Sequence, residues 1–146
     1  MRLGRITYAM ALSLVLLGFT GPRPQNLGVR NGALAACPDS PNCVSTQAKD
    51  ARHTIEPLRY DTSREQALQR LTAIMRSWPR TRIVTTTADY LHVEFTSALF
   101  RFVDDVEFFF DDAAKTIHFR SASRLGYSDL GVNRKRMEEI RRRFQQ

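Results

Sequence analysis

Residues 102–120, FVDDVEFFFDDAAKTIHFR, decide the fold. Phe102, Val106, Phe108 and Phe110 recur at a period of two, and Asp105 and Glu107 fall on the opposite side. That alternation is the mark of a half-buried strand. Asp111–Lys115 supplies a turn, and Thr116–Arg120 returns. A register with Phe108 opposite Ile117 sets Glu107 opposite His118 and Asp105 opposite Arg120, and brings Val106 beside Phe119. Opposite charges facing each other across strands contribute a few tenths to about 1 kcal/mol. Asp104 breaks the alternation. Either a bulge re-aims it, or it is buried and hydrogen-bonded by the Ser121–Tyr127 loop.

Working outward, Tyr90–Thr96 alternates with Leu91, Val93 and Phe95 on one side and His92 and Glu94 on the other. Arg82–Thr87 is β-branched, and Ala88-Asp89 turns the chain between the two. Thr62 or Ser63, with Glu65 or Gln66 three residues on, makes a capping box. Ala67, Leu68, Leu71, Ile74, Met75 and Trp78 then follow at helical spacing until Pro79 stops the helix. Ile55–Tyr60 reads as an edge strand because Pro57 interrupts it. A closing helix runs from Leu130 to Phe144, with Leu130, Met137, Ile140 and Phe144 facing the sheet. The expected fold is α+β, an antiparallel sheet of about five strands with two helices packed on one face, in the order β-α-β-β-β-β-α. A sheet curled around the last helix and a flatter ferredoxin-like sheet both satisfy that order.

Three segments are expected. Residues 1–20 are a signal peptide or membrane anchor, 21–36 a linker or irregular arm, and 37–146 a single domain. Arg2 and Arg5 precede 14 mostly apolar residues, Ile6–Phe19, fewer than the roughly 20 that span a bilayer. Export to a periplasm or thylakoid lumen follows, or anchoring through residues 6–19. Four of the 22 basic residues precede Cys37 and all 15 acidic residues follow it, so the net charge of +7 falls to +3 in the domain itself. The remaining excess sits in the last helix, a candidate for weak membrane-surface contact. Nucleic acid is not expected as a partner of an exported chain. Cys37 and Cys43 are the only cysteines, and in an exported protein they read as a short-range disulfide. Lipidation of Cys37 in Leu34-Ala35-Ala36-Cys37 is the competing reading.

The runs CPDSPNCVST, FRFVDDVEF and RSASRLGYSDLGVNRKR resemble, in the same order over residues 27–144, the bacterial and plastid family called domain of unknown function 1499. Thr46 stands where that family leads one to expect serine. Members are often exported or lumenal, which the resemblance extends to this chain as an expectation. The family has no established activity, so it implies no catalytic residue and no cofactor.

Candidate chemistry therefore comes from the residues alone. Asp104, Asp105 and Glu107 form an acidic cluster suited to acid–base work, or else an ion-pair network with Arg101, Arg120 and Arg124. His92, Glu94, Glu107 and His118 carry the donor types of a transition-metal site, or else line a solvated or loop-covered face; no metal is expected. Ser121, Ser123, Arg124, Tyr127, Ser128, Asp129, Asn133 and Arg134 gather around a helix start, where a small anion binds or where Asp129 or Ser128 merely caps. No nucleophile elbow occurs. The sequence points to a non-catalytic domain that contacts a small anionic ligand or an envelope protein through Arg120–Arg134 and the acidic strand. An enzyme for small acidic or phosphorylated compounds and a membrane-surface adaptor are the alternatives.

Overall fold

The computed structural model describes residues 19–146; apart from Phe19, the apolar run 6–19 lies outside them. The elements are β1 (Cys43–Ser45), β2 (Leu58–Arg59), α1 (Arg64–Ser77), β3 (Thr81–Thr86), β4 (Tyr90–Thr96), β5 (Val103–Asp111), β6 (Thr116–Ser123) and α2 (Val132–Gln145). β3 to β6 form an antiparallel meander, and the sheet order is β1-β6-β5-β4-β3. The outer edge of β6 is shared: β1 pairs with residues 120–122 and β2 with residues 116–117. Both helices lie on one face, and the α+β architecture agrees with the sequence reading.

α1 begins as its capping box dictates. The Ser63 Oγ accepts from the Gln66 N–H, and the Gln66 Oε1 accepts from the Ser63 N–H, both at 3.2 Å. Ala67, Leu71 and Met75 are buried on its inner face. They meet Met137, Ile140 and Phe144 of α2 and the sheet residues Leu91, Val93, Val106, Phe108, Ile117 and Phe119. Trp78 closes this core edge-on against Phe95, with ring centroids 5.7 Å apart. Burying one such side chain fully contributes about 1.5–3 kcal/mol.

The structure corrects four readings. The edge strand expected over 55–60 shrinks to Leu58–Arg59, since Pro57 cannot donate to a ladder, and Cys43–Ser45 supplies an unexpected strand beside it. In the central hairpin Phe108 faces Phe119, Glu107 faces Arg120 and Phe110 faces Ile117, two residues from the expected register. The cause is the connection. Asp112–Lys115 forms a four-residue loop with Lys115 at φ 50°, pinned by the Ala114 N–H to Asp111 Oδ1 hydrogen bond. A slip of two keeps every side chain on its face, so the hydrophobic pattern is blind to it. Leu130, expected against the sheet, is 86% exposed because the helix starts two residues later. Asp104 is indeed buried on the core side, but no bulge re-aims it and its partner is not the loop: Arg136 of α2 binds it at 2.5 Å. Arg136 also lies over the Phe95 ring, 4.6 Å from its centroid.

Cys37 and Cys43 are disulfide-bonded, so neither thiol is free. Among the described residues no helix is long and apolar enough to cross a membrane.

Candidate functional site

Alternation puts Tyr90, His92 and Glu94 of β4, Asp105 and Glu107 of β5, and Arg120 of β6 on the sheet face opposite the helices. A face so charged would ordinarily meet water. Here it is covered by the arm of residues 19–36, and Asp105 and Glu107 are only 1% and 0% exposed. Burial of that kind demands partners, because an unpaired carboxylate away from water is expensive.

The partners converge from three directions. Arg124, just past β6, grips Asp105 with Nε at 2.7 Å and Nη2 at 2.8 Å, and reaches Glu94 with Nη2 at 2.5 Å. Arg82 of β3, opposite Glu94 in register, binds its Oε2 at 2.6 Å. Arg23 of the arm binds Glu94 Oε1 through Nε at 3.1 Å and Nη2 at 2.7 Å. His92 Nε2 lies 2.8 Å from Asp105 Oδ1. Glu107 Oε1 accepts from the Tyr90 hydroxyl at 2.8 Å and from the Gly28 N–H at 2.7 Å. Gly28 sits at φ +100°, a conformation that side chains rarely adopt, and so lays its N–H onto the carboxylate.

Arg120 faces Glu107 with less contact. Its Nη1 is 3.7 Å from Glu107 Oε2, and neither that oxygen nor Arg120 Nε has a hydrogen-bond partner among the described residues. This pair is held by charge alone.

The electrostatics follow the partners. Burial pushes the Glu94 carboxyl up, but hydrogen bonds from Arg23, Arg124 and Arg82 outweigh it and hold the pKa at about 2. Asp105 is likewise raised by burial and lowered further by Arg124 and His92, ending below the usual carboxylate value. Burial raises the Tyr90 phenol, and Glu107 adds to that. Burial lowers Arg120, against the opposing pull of Glu107.

Such carboxylates make poor general bases, since a base works best with a pKa near the operating pH and an open lone pair. His92, Glu94 and Asp105 do bring ligand atoms within 4.8 Å of one another. A cation entering there would have to displace Arg124 from both carboxylates. His118, counted among metal donors from sequence, stands apart: it stacks on Phe109 and lies 3.2 Å from Thr46 Oγ1.

A second polar cluster lies where β6 meets α2. Asn133 is fully buried. Its Oδ1 accepts from the Ser121 hydroxyl at 2.5 Å, and its Nδ2 reaches Ser123 Oγ, Asp129 Oδ2 and the Asn42 carbonyl. Neither Asp129 nor Ser128 is the cap residue: Gly131 stands at the N-cap of α2, and Asp129, two residues earlier, accepts from the N–H groups of Gly131 and Asn133. Arg134 turns away to donate to the Arg52 carbonyl. Tyr127 is 73% exposed.

Residues 33–144 match the family model described as protein of unknown function (DUF1499). The chain belongs to the DUF1499 family. No curated protein and no solved structure matches it.

Most of the residues the sequence singled out thus divide into three groups in this DUF1499 chain, with Tyr127 and Arg134 outside them. Asp105, Glu107, Arg120 and Arg124 meet on the arm-covered face. Asp104 lies on the other side of the sheet with Arg136. Ser123, Asp129 and Asn133 bind one another around the start of α2. Arg23, Gly28, Arg82, Tyr90 and Arg136 completed these networks without being singled out. Arg82 had a signal, an outward position paired with Glu94. Gly28 had none, because it acts through its backbone. Both arm residues precede the segment matched by the family model.

Proposed function

We propose that the protein is a non-catalytic accessory domain, exported to the periplasm, or to a thylakoid lumen in a photosynthetic source, that binds rather than reacts. One observation carries this reading. The carboxylates of the charged sheet face are buried and bound by guanidinium, imidazole, hydroxyl and backbone N–H groups, with Glu94 and Asp105 held well ionised. A reacting site needs carboxylates open to substrate. The two arginines and apolar run at the N-terminus support export, and the Cys37–Cys43 disulfide suits an oxidising compartment.

With the acidic strand covered, the contact surface contracts to the loop between β6 and α2, where Leu125, Tyr127 and Leu130 are exposed. The basic face of α2 is a poorer candidate. Arg142 and Arg143 bind Glu139, while Arg141 binds Glu138 and the Pro57 carbonyl.

Fractionation of cells expressing the tagged full chain, followed by turnover assays of the purified protein against small phosphate esters and carboxylates, tests the proposal. Recovery outside the cytoplasm with no turnover is expected. Cytoplasmic recovery overturns export. Turnover that is abolished by Asp105→Asn or Glu107→Gln in a protein that still folds overturns the non-catalytic reading.

A further inference from the structure

Among the described residues, the large apolar side chains that the structure exposes belong to one end of the domain. Leu99, Phe100 and Phe102 come from the β4–β5 connection, and Leu125, Tyr127 and Leu130 from the loop before α2; exposure ranges from 40% to 86%. The two connections are adjacent, since β4 ends, β5 begins and β6 ends at this edge of the sheet. The Arg124 N–H donates to the Val103 carbonyl and ties them together. An apolar surface gathered in this way marks an interaction site, whereas the same residues scattered singly would not.

Three observations say what covers it. First, Phe19 ends the apolar run Ile6–Phe19 and lies on this patch, its ring 5.9 Å from Phe102 and its N–H donating to the Phe100 carbonyl. The last residue of the apolar run therefore sits at the same end. Second, that run has 14 residues, fewer than the roughly 20 that cross a bilayer, so where it is retained as an anchor its short reach holds the adjoining end of the domain at the lipid surface. Third, Arg80, Arg101 and Lys135 are exposed at this end, and none is in an ion pair among the described residues. Aromatic and aliphatic side chains with a cationic fringe are the composition of a surface that sits in an anionic bilayer interface.

We propose that this end of the domain, carrying Leu99, Phe100, Phe102, Leu125, Tyr127 and Leu130, seats in the interface of an anionic bilayer, next to Phe19, the last residue of the N-terminal apolar run. The inference deepens the contact-surface reading above by naming its occupant. The sheet then stands off the membrane with its β3–β4 turn outermost.

The test uses the full chain reconstituted into vesicles of phosphatidylcholine with about one-third phosphatidylglycerol. An environment-sensitive fluorophore is attached through Leu130→Cys, and in a separate variant through Asp89→Cys in the β3–β4 turn at the opposite end. At residue 130 the emission shifts to the blue and is quenched by spin-labelled acyl chains, while residue 89 shows neither effect. Equal, water-like emission at both positions overturns the proposal. A blue shift at residue 130 that lipid quenchers do not touch also overturns it, because a second copy or residues 6–18 then cover the patch. These readouts are independent of turnover and fractionation, so failure here and failure of the non-catalytic reading are distinguishable.

Discussion

Asp105→Ala removes the centre of the buried charge network and leaves its partners in place. His92 loses its 2.8 Å contact, and Arg124 loses both of its contacts to Asp105 while keeping the one to Glu94. Removing one member of a buried ion pair costs about 3–5 kcal/mol, because the remaining charge stays buried without compensation. Arg124 retains one carboxylate, so the expected loss lies at the lower end, about 3 kcal/mol. In a domain of this size that lowers the thermal midpoint by about 10 °C or more. Asp111→Ala is the control: its carboxylate accepts one hydrogen bond, from the Ala114 N–H at a loop, which is worth about 1 kcal/mol. Urea titration and thermal circular dichroism of both variants give the comparison. The double variant Asp105→Leu with Arg124→Met recovers much of the loss, since apolar replacement of a buried pair is often close to neutral. Equal midpoints for Asp105→Ala and Asp111→Ala, or a double variant that is worse than both single changes summed, refute the reasoning.

Other expectations follow from the same structure. Glu94 and Asp105 have folded-state pKa values below their ordinary 4.5 and 3.8, so the stability they contribute is complete above those values and is lost as pH falls below them, for Glu94 through about 2. Two of the three arginines on Glu94 are half exposed, so its share is about 1–2 kcal/mol after screening; urea midpoints between pH 5 and 2 measure it, and a flat profile contradicts it. Gly28→Pro removes the N–H that donates to Glu107 Oε1 and cannot hold φ +100°, so it lowers stability by more than the hydrogen bond's own share of about 1–3 kcal/mol, read by denaturation; no change means the arm does not hold the face. Cys43→Ser costs about 2 kcal/mol under oxidising conditions and nothing in reductant, where the wild-type bridge is open as well.

Much of the scaffold was legible because its signals are local. β4 spans the residues its alternation marks, and α1 starts directly after its N-cap Ser63 because the capping box satisfies the N–H groups of Ser63 and Gln66. The three-residue β1 was not legible, for so short a piece carries no period. Register failed by two because faces constrain it only to even slips, and the hairpin loop, not the hydrophobic pattern, sets the rest. The site was half legible. Its charges were visible, and the arithmetic of burial required arginine partners. What covered them was hidden, since the arm acts through one backbone N–H and one arginine far away in sequence. Asp104 shows the same limit: its inward position follows from alternation, whereas its partner Arg136 depends on how α2 crosses the sheet.

The account depends on carboxylates that are charged, paired and shut away from solvent. Carbon-13 NMR titration of the Glu94 and Asp105 carboxyl groups in the folded protein measures this directly. The expected midpoint for Glu94 is about 2, with Asp105 also below its ordinary 3.8. A midpoint for either group near neutral pH, at about 6 to 7 where a general base operates, would contradict the account.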